Sequence, residues 1–226
     1  MRKRKLERSK KRQRGQFMTP RALARSIVRS LNLEKVDRIL EPSCGDGSFV
    51  EAILEVFLEE NNASCGQHEP LERSSLVAVE LDAELLEKCK QRVASMSAAN
   101  GQEMPCTFLQ GDFFQFFINR SRLVEDDSLQ NSLREKFDLI VGNPPFGGSF
   151  DPKIEDELDA VLGKRLGRKI KKETYAFFIV ACMEMLRPGG KLIFICSDSL
   201  LTIPTMTGLR QYLMESGGVT LHLLEE

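Results

Sequence analysis

Short apolar runs alternate along this chain with longer segments in which apolar residues recur every three or four positions. The short runs predict buried strands, and the longer segments predict amphipathic helices. The predicted strands cover residues 38–40, 76–79, 107–110, 138–141, 191–196 and 219–224. The predicted helices cover residues 22–31, 50–58, 84–95, 173–186 and 207–215. Strands that alternate with helices indicate an α/β fold built on a mostly parallel sheet.

One predicted strand runs directly into an amide and two prolines. The sequence from Asp138 to Phe146 reads Asp-Leu-Ile-Val-Gly-Asn-Pro-Pro-Phe. Two prolines fix φ and remove two backbone N–H groups, so the Asn143 amide and the Pro144 carbonyl project past the strand end. Such a corner accepts from the N–H of a ligand, and the Phe146 ring can stack on a planar base or amide. Asn-Pro also begins ordinary turns, so this segment alone leaves both interpretations open.

A glycine loop follows the first predicted strand. Residues 41–49 read Glu-Pro-Ser-Cys-Gly-Asp-Gly-Ser-Phe and lead into a helix. Gly45 and Gly47 allow positive φ and close approach of a ligand, while the helix N-terminus presents backbone N–H groups. The loop lacks the three-glycine spacing of dinucleotide-binding proteins and the Gly-Lys-Ser/Thr ending of a phosphate loop. Nicotinamide cofactors and nucleoside triphosphates are therefore disfavoured.

Two further strand ends carry groups that suit a ligand. Glu80 ends the second strand, where its carboxylate can accept both hydroxyls of a ribose. Asp112 follows the third strand, where it can accept from an exocyclic adenine amine while Phe113 packs on the purine. The carboxyl ends of parallel strands meet near the switch in strand order, so we expect these groups to converge. Taken alone, Glu80 could equally be a solvated residue at a strand end.

Together these motifs resemble the S-adenosylmethionine-dependent N6-adenine DNA methyltransferases of the restriction-modification type. A further element at residues 15–20, Gly-Gln-Phe-Met-Thr-Pro, precedes the glycine loop, which precedes Asn-Pro-Pro-Phe, as in the gamma-class motif order. The glycine loop and Asn-Pro-Pro-Phe would fit several amino-methylating families, whereas Phe-x-Thr-Pro narrows the resemblance to DNA adenine enzymes. The resemblance implies a Rossmann-like class I methyltransferase fold of seven mostly parallel strands, one of them antiparallel.

The resemblance also implies a reaction and a set of roles. The cofactor is S-adenosylmethionine, and the adenine N6 attacks its sulfonium methyl in line, without a metal or a covalent intermediate. A target base in a duplex has to be flipped out for this reaction. The implied catalytic residues are Asn143, Pro144, Pro145 and Phe146. The implied cofactor-binding residues are Phe17, Met18, Thr19, Glu41, Ser43, Gly45, Asp46, Gly47, Glu80, Leu81, Asp112 and Phe113, with Thr19 near the methionine carboxylate.

The chain also departs from the family pattern. Many relatives have Tyr where Phe146 stands, and Phe keeps the π surface without the hydroxyl. A second aromatic wall and a target-recognition domain, which the family places further along, are not found in the sequence, and one predicted strand of seven is missing. We therefore expect residues 15–226 to be a catalytic domain that is incomplete at its C-terminus. A longer polypeptide, or a specificity or restriction subunit, would supply the rest.

The charge distribution favours nucleic acid as the partner. The first fourteen residues carry nine Lys or Arg against one Glu, which predicts a basic arm over residues 1–14 that neutralises phosphates. A second basic stretch at residues 164–172 follows the Asn-Pro-Pro-Phe corner, and we expect it to contact the DNA backbone. Both stretches could instead be solvated segments. DNA is the expected partner, and RNA is a less favoured one.

The composition agrees with a cytoplasmic enzyme domain. The chain has 226 residues, 42% hydrophobic and 29% charged, which is enough for one packed α/β core. Neither an apolar run of transmembrane length nor a signal peptide is seen, so no membrane association is expected. The six cysteines show no zinc spacing, which predicts buried or incidental thiols and no metal site. The chain has no Pro-Cys element, which argues against a cytosine-C5 enzyme with a cysteine nucleophile.

Two alternatives to the adenine DNA methyltransferase stay open. The same corner serves adenine in RNA or a glutamine amide in a protein, although Phe-x-Thr-Pro and the basic stretches favour DNA. A non-catalytic nucleic-acid-binding subunit of a modification complex belongs to a different class of function. The presence of Asn143, Asp112 and Glu80 argues against that last interpretation.

Overall fold

Five parallel strands form the centre of the molecule. A computed structural model describes residues 18–33, 36–63, 75–120, 135–146, 152–163 and 174–222. The strands are β1 (Arg38–Glu41), β2 (Ser75–Glu80), β3 (Cys106–Gln110), β4 (Phe137–Gly142) and β5 (Leu186–Phe194). Their order in the sheet is β3-β2-β1-β4-β5, and every neighbouring pair is parallel.

Helices connect the strands and cover both faces of the sheet. They are α1 (Arg21–Arg29), α2 (Ser48–Ala63), α3 (Ala83–Asn100), α4 (Phe113–Asn119), α5 (Pro152–Leu158), α6 (Thr174–Met185), α7 (Ser199–Thr202) and α8 (Thr207–Ser216). Helix α3 shows how local sequence sets the boundaries. The Asp82 side chain accepts from the backbone N–H groups of its first turn, and Gly101 ends it with a φ of 66°.

Consecutive residues of each central strand enter opposite halves of the core. In β1, Ile39 packs with α1, α2 and α3, whereas Leu40 packs with α4, α6 and α8. In β2, Leu76 and Val77 divide in the same way, and all four of these side chains are fully buried. A strand covered on both faces requires apolar residues at every position, which explains the near-continuous apolar runs in the sequence.

The predicted Rossmann-like, mostly parallel sheet is confirmed, with differences at its C-terminal end. The five predicted helices correspond to α1, α2, α3, α6 and α8. The strand predicted at 191–196 begins earlier, at Leu186, because Leu186 pairs with Phe137. The register between β4 and β5 then shifts, and the Arg-Pro-Gly-Gly segment lies at this shift. The antiparallel strand implied by the resemblance is not among the described strands.

The sixth predicted strand, at residues 219–224, is wrong over its described part. Val219 to His222 adopt no strand, and residues 223–226 lie outside the described residues. Val219 and Leu221 are 44% and 56% exposed. Apolar and β-branched residues form a strand only where a neighbouring strand and a packed face receive them, and none of the described strands pairs with this segment.

The strand order creates a switch point between β1 and β4. From β1 the chain continues to β2 and β3 on one side, and it then crosses to β4 on the other side of β1. Connections that leave neighbouring strands in opposite directions open a crevice at the carboxyl ends of those strands. The loop after β1 and the corner after β4 therefore lie beside each other.

Asp138 ties β1 to β4 at the opposite end of the sheet. Its Oδ2 accepts from the backbone N–H groups of Asp37 at 3.1 Å and Arg38 at 2.9 Å. Its Oδ1 accepts from Arg187 Nη1 at 2.9 Å, which also connects it to the start of β5. One carboxylate thus fastens three neighbouring strands.

We predict that Asp138→Ala lowers the free energy of unfolding by about 1–3 kcal/mol, because it removes the acceptor of these charge-assisted hydrogen bonds. Urea unfolding measures the loss. The matched control is Glu135→Ala, which removes an ion pair with Arg38 whose glutamate is 68% exposed, and it should cost less than about 0.5 kcal/mol. Equal losses in the two variants would contradict the bridging role of Asp138.

Candidate active site

Three distant parts of the chain meet at the carboxyl ends of β1 and β4. The Asn143 side chain donates from Nδ2 to Thr19 Oγ1 at 3.1 Å. Ser43 Oγ donates to the backbone carbonyl of Asn143 at 3.5 Å. A Cβ added to Gly45 would lie 3.2 Å from Met18 Cε. The Met-Thr-Pro segment, the glycine loop and the Asn-Pro-Pro-Phe corner therefore converge. The sequence predicted this for the loop and the corner at the strand ends, and the family resemblance implied it for the Met-Thr-Pro segment.

The loop after β1 needs glycine for its shape. The φ angles are 56° at Gly45 and 91° at Gly47, a region that residues with a side chain rarely adopt. Two backbone hydrogen bonds hold the loop, from the Cys44 N–H to the Val79 carbonyl and from the Gly47 N–H to the Cys44 carbonyl, both at 2.8 Å. The first of these joins the loop to β2, so the loop folds back over the sheet edge.

Glu80 braces the loop from the end of β2. Its Oε2 accepts from the Gly45 N–H and its Oε1 from the Asp82 N–H, both at 2.8 Å. The residue is 5% exposed, so the interpretation of Glu80 as a solvated strand-end residue is wrong. Burial raises the pKa of the Glu80 carboxyl, while these backbone hydrogen bonds act in the opposite direction. Each oxygen keeps a further lone pair, which leaves the role toward ribose hydroxyls a prediction.

Glu41 is a second buried carboxylate directly beneath the corner. It is 1% exposed, and its Oε1 accepts from the Ser43 N–H at 3.3 Å. Its Oε2 is buried without a hydrogen-bond partner among the described residues. Burial raises the pKa of the Glu41 carboxyl well above its ordinary value, and the charge of Glu80 raises it further. A Cβ on Gly142 would lie 2.5 Å from Oε1, so a larger residue before Asn143 would displace the Glu41 carboxylate.

The residues after β3 serve the fold as well as any ligand. The Asp112 side chain accepts from the Phe114 N–H at 2.8 Å and caps α4. The Phe113 ring is 3% exposed and stacks on Phe178 with centroids 5.1 Å apart and an interplanar angle of 14°. One face of this ring is therefore occupied by the core. Its contact with a purine remains a prediction that concerns only the remaining surface of the ring.

Exposed and half-buried apolar side chains border the polar cluster. Met18 and Leu81 are 40% and 55% exposed beside the glycine loop. The half-buried Phe146 ring lies 6.2 Å from the ring of Tyr175 in α6. The Tyr175 hydroxyl lies 2.9 Å from Ser199 Oγ, so a partly buried hydrogen bond fixes the ring that supports Phe146. The side chains of Tyr175, Phe177 and Phe178 in α6 are buried in the core, and the sequence gives no sign that one of them supports Phe146.

Arg92 in α3 is a residue that sequence reasoning missed. Its Nη2 lies 2.9 Å from Asp46 Oδ2, and its Nη1 lies 3.3 Å from Glu51 Oε2. Ser48 Oγ also donates to Asp46, at 3.2 Å. The Asp46 carboxylate, which the resemblance placed around the cofactor, is therefore bound to α3. An arginine on an amphipathic helix is usually part of the solvated face, so the sequence does not predict this contact.

Some predicted functional residues lie outside the described residues. They are Phe17, the basic arm at 1–14 and the basic stretch at 164–172. The five described cysteines are free thiols. In the part of the chain that the structure describes, no group of His, Cys, Asp and Glu side chains is arranged to hold a metal ion. None of the described helices has the length and apolar character needed to cross a membrane.

We predict that Glu41→Gln changes how stability depends on pH. A carboxyl with a raised pKa in the folded state contributes stability that is complete below the unfolded pKa of about 4.3 and is lost as pH rises through the folded pKa. The free energy of unfolding of the wild type should therefore fall relative to that of Glu41→Gln as pH rises above about 4.3. Urea unfolding over a series of pH values measures the difference.

Glu84→Gln, at an exposed position of α3, controls for the loss of a surface carboxylate. Parallel pH profiles of the wild type and Glu41→Gln would show that burial of Glu41 has no energetic consequence, contrary to this prediction.

Two family models match the chain over most of its length. The Eco57I restriction-modification methylase model matches residues 72–220, and the N-6 DNA Methylase model matches residues 4–94. The first match includes Glu80, Asp112 and the Asn-Pro-Pro-Phe corner. The second includes the Phe-x-Thr-Pro element and the glycine loop. The two matches thus contain all the motifs that meet at the site.

The chain is similar to part of several characterised type II methyltransferases. It is 25% identical over 215 residues to M.HincII of Haemophilus influenzae, which covers 94% of this chain and 33% of that protein. It is 28% identical over 218 residues to M.TthHB8I of Thermus thermophilus, which covers 94% of this chain and 41% of that protein. The chain therefore spans well under two thirds of the length of the curated relatives it matches.

Solved structures of restriction-modification proteins share the fold. The type ISP enzyme LlaGI, in complex with a DNA substrate mimic, superposes with a TM-score of 0.69 at 17% identity, over 89% of this chain and 22% of that one. The M protein of the type I restriction enzyme EcoKI superposes with a TM-score of 0.58 at 18% identity, over 88% of this chain and 38% of that one. Because the Eco57I model matches more than half of the residues, this chain belongs to the Eco57I restriction-modification methylase family.

Proposed function

We propose that this chain is the catalytic domain of an enzyme that transfers a methyl group from S-adenosylmethionine to the N6 amino group of adenine in DNA. The observation that carries the proposal is the contact of Asn143 with Thr19 at 3.1 Å, beside the glycine loop. An acceptor corner for an amine then lies next to a loop that suits a nucleoside cofactor. Methyl transfer requires such proximity, because the two reactants have to be held roughly 3 Å apart and aligned.

The described residues fit S-adenosylmethionine. The buried Oε2 of Glu41, with no hydrogen-bond partner among the described residues, suits an ammonium group, whose charge would favour the ionised carboxylate. Glu80 stands where a ribose would be bound, and Leu81 exposes apolar surface for the adenine ring. Asp112 has a second carboxylate oxygen beyond the one that caps α4, and it can accept from the adenine amine. When bound, S-adenosylmethionine supplies an electrophilic methyl group on a sulfonium.

The Asn-Pro-Pro-Phe corner would hold the target amine. Since Nδ2 of Asn143 donates to Thr19, the oxygen of the same amide is the end that accepts an N–H from the base. This oxygen is buried, so a hydrogen bond to it is formed away from water, where it is stronger. The Pro144 carbonyl is the second acceptor. When both N–H groups of the adenine amine donate to these two oxygens, the nitrogen lone pair is directed out of the base plane. The Phe146 ring, which packs near Tyr175, stacks on the base.

The family match supports DNA as the substrate and the adenine amine as the acceptor. The matched relatives are named type II methyltransferases, the model over residues 72–220 is that of a restriction-modification methylase, and the model over residues 4–94 is that of an N-6 DNA methylase. Reading of a target sequence requires contacts to base edges in a groove. We propose that protein regions outside this chain supply those contacts, either on the same polypeptide or on a specificity subunit.

The proposal is tested by incubating the protein with methyl-labelled S-adenosylmethionine and unmethylated DNA, RNA or a protein extract. The products are then digested and the labelled compound is identified. We expect N6-methyldeoxyadenosine from DNA. Label in RNA or in glutamine would overturn the assignment of substrate. A protein that binds the cofactor but labels nothing would overturn the claim that this chain carries out the transfer.

We predict that Asn143→Ala lowers kcat by about a hundredfold or more, because it removes an acceptor that acts in the transition state. The Kd for S-adenosylmethionine should stay within about twofold of the wild-type value, since the amide is assigned to the target and not to the cofactor. Asn100→Ala is the matched control. That exposed amide bonds only to its own helix among the described contacts, and its loss should leave kcat unchanged.

A second prediction separates two roles for Thr19. If its hydroxyl orients the Asn143 amide, Thr19→Val should lower kcat about tenfold with little change in cofactor Kd, and Thr19→Ser should retain activity. Single-turnover kinetics and calorimetry measure the two quantities. A raised Kd at unchanged kcat would instead assign the hydroxyl to the methionine carboxylate, the role that the family resemblance implies.

A further inference from the structure

One structural unit, strand β2 with helix α3, holds three consecutive residues of the glycine loop. The three contacts join the Gly45 N–H to Glu80 Oε2 at 2.8 Å, Asp46 to Arg92 at 2.9 Å, and Gly47 to Cys89, where an added Cβ would lie 2.6 Å from Sγ. Cys89 and Arg92 are three positions apart and so lie on the same face of α3. The loop is thus fixed from one side at each of its central residues.

The guanidinium of Arg92 is suited to this position by shape as well as by charge. Its Nη2 contacts Asp46 in the loop, and its Nη1 contacts Glu51 in the first turn of α2. The Arg92 and Glu51 side chains are each 15% exposed, so solvent screens the pair less than it screens a surface pair. A lysine is a point charge and cannot hold two carboxylates in a fixed plane.

The same contacts reach the element that carries Thr19. Arg21 begins α1, directly after Thr19 and Pro20, and its Nε lies 3.2 Å from Glu51 Oε2. Glu51 is therefore shared by Arg21 and Arg92. A single carboxylate in α2 thus binds the first residue of α1, which follows the Met-Thr-Pro segment, and an arginine of α3, which in turn contacts the glycine loop through Asp46.

We propose that Arg92 is a positioning residue that fixes the glycine loop through Asp46 and thereby sets the affinity for S-adenosylmethionine. The inference rests on the function proposed above. Asp46 then serves as the anchor of the loop and not as a ligand of the cofactor. A loop held in place before binding loses less conformational entropy when the cofactor binds, so the Kd is lower. Without Arg92, the Asp46 carboxylate would lose its arginine partner, and Glu51 would keep only Arg21.

A double-mutant cycle on the whole chain tests the proposal, with the Kd for S-adenosylmethionine measured by calorimetry. Arg92→Gln and Asp46→Asn should each raise the Kd about ten- to a hundredfold, as expected for loss of a charge-assisted contact. The double variant should bind no more weakly than either single variant, because both remove one contact. The kcat at saturating cofactor should stay within about twofold of the wild-type value.

Arg25→Gln is the matched control, since it removes the ion pair of Arg25 with Glu55 between α1 and α2 without contacting the loop. Its Kd should stay within about twofold of that of the wild type. Arg92→Lys should recover only part of the affinity, because the charge is kept and the two-carboxylate geometry is not. Circular dichroism establishes that each variant is folded.

Three results would overturn the proposal: an unchanged Kd in Arg92→Gln, an equal effect of Arg25→Gln, or additive effects of Arg92→Gln and Asp46→Asn. Additivity would mean that Asp46 contacts the cofactor itself. If Arg92→Gln does not fold, Arg92→Lys replaces it in the cycle with Asp46→Asn. Additive effects of these two substitutions on the Kd would again overturn the proposal. A protein that shows the expected Kd pattern but transfers no methyl group would refute the proposed function alone. One that methylates DNA with an unchanged Kd in Arg92→Gln would refute this inference alone.

Discussion

The site depends on the burial of two carboxylates at the carboxyl ends of neighbouring strands. Glu41 and Glu80 are 1% and 5% exposed, and burial raises the pKa of both. Carboxylates are costly to bury unless hydrogen-bond donors or cations approach them. The glycine loop supplies backbone N–H groups to both, through Ser43 and Gly45. The loop thus takes its shape from the groups it has to satisfy, and we propose that the cofactor uses the remaining acceptor capacity of these carboxylates.

The sequence predicted much of this arrangement, because its signals are local. A strand buried on both faces requires an apolar run, a loop at positive φ requires glycine, and Asn-Pro-Pro fixes its own backbone. These constraints located β1 to β4, the glycine loop and the corner at Asn143, whereas the placement of Thr19 near the site was implied only by the family resemblance. The prediction of a strand at Val219 was wrong because an alternating apolar pattern does not show whether a partner strand is available for pairing. The purine contact of Phe113 was predicted from position alone, without knowledge that Phe178 already covers one face of the ring.

Contacts between side chains that are distant along the chain could not be predicted from the sequence. Arg92 and Asp46 are separated by 46 positions, and nothing in either local segment distinguishes their ion pair from two solvated charges. The same holds for Tyr175, whose hydroxyl reaches Ser199 after β5 and whose ring supports Phe146. The motifs identify which groups carry chemistry. The elements packed behind them determine how firmly those groups are held, and that information is present only in the folded chain.

The close approach of Gly142 to Glu41 has a consequence for how this family can diversify. A methyl group at position 142 would lie 2.5 Å from the Glu41 carboxylate, so a larger residue there requires that carboxylate to move or a shorter residue to replace it. Substitution of Gly142 alone would therefore displace the group that accepts from the Ser43 N–H, whereas a shorter residue at position 41 would leave room for it. Among homologous sequences, a larger residue at position 142 should therefore accompany a shorter residue at position 41. Such covariation is expected because the two positions are in contact, although they lie on different strands and in different motifs.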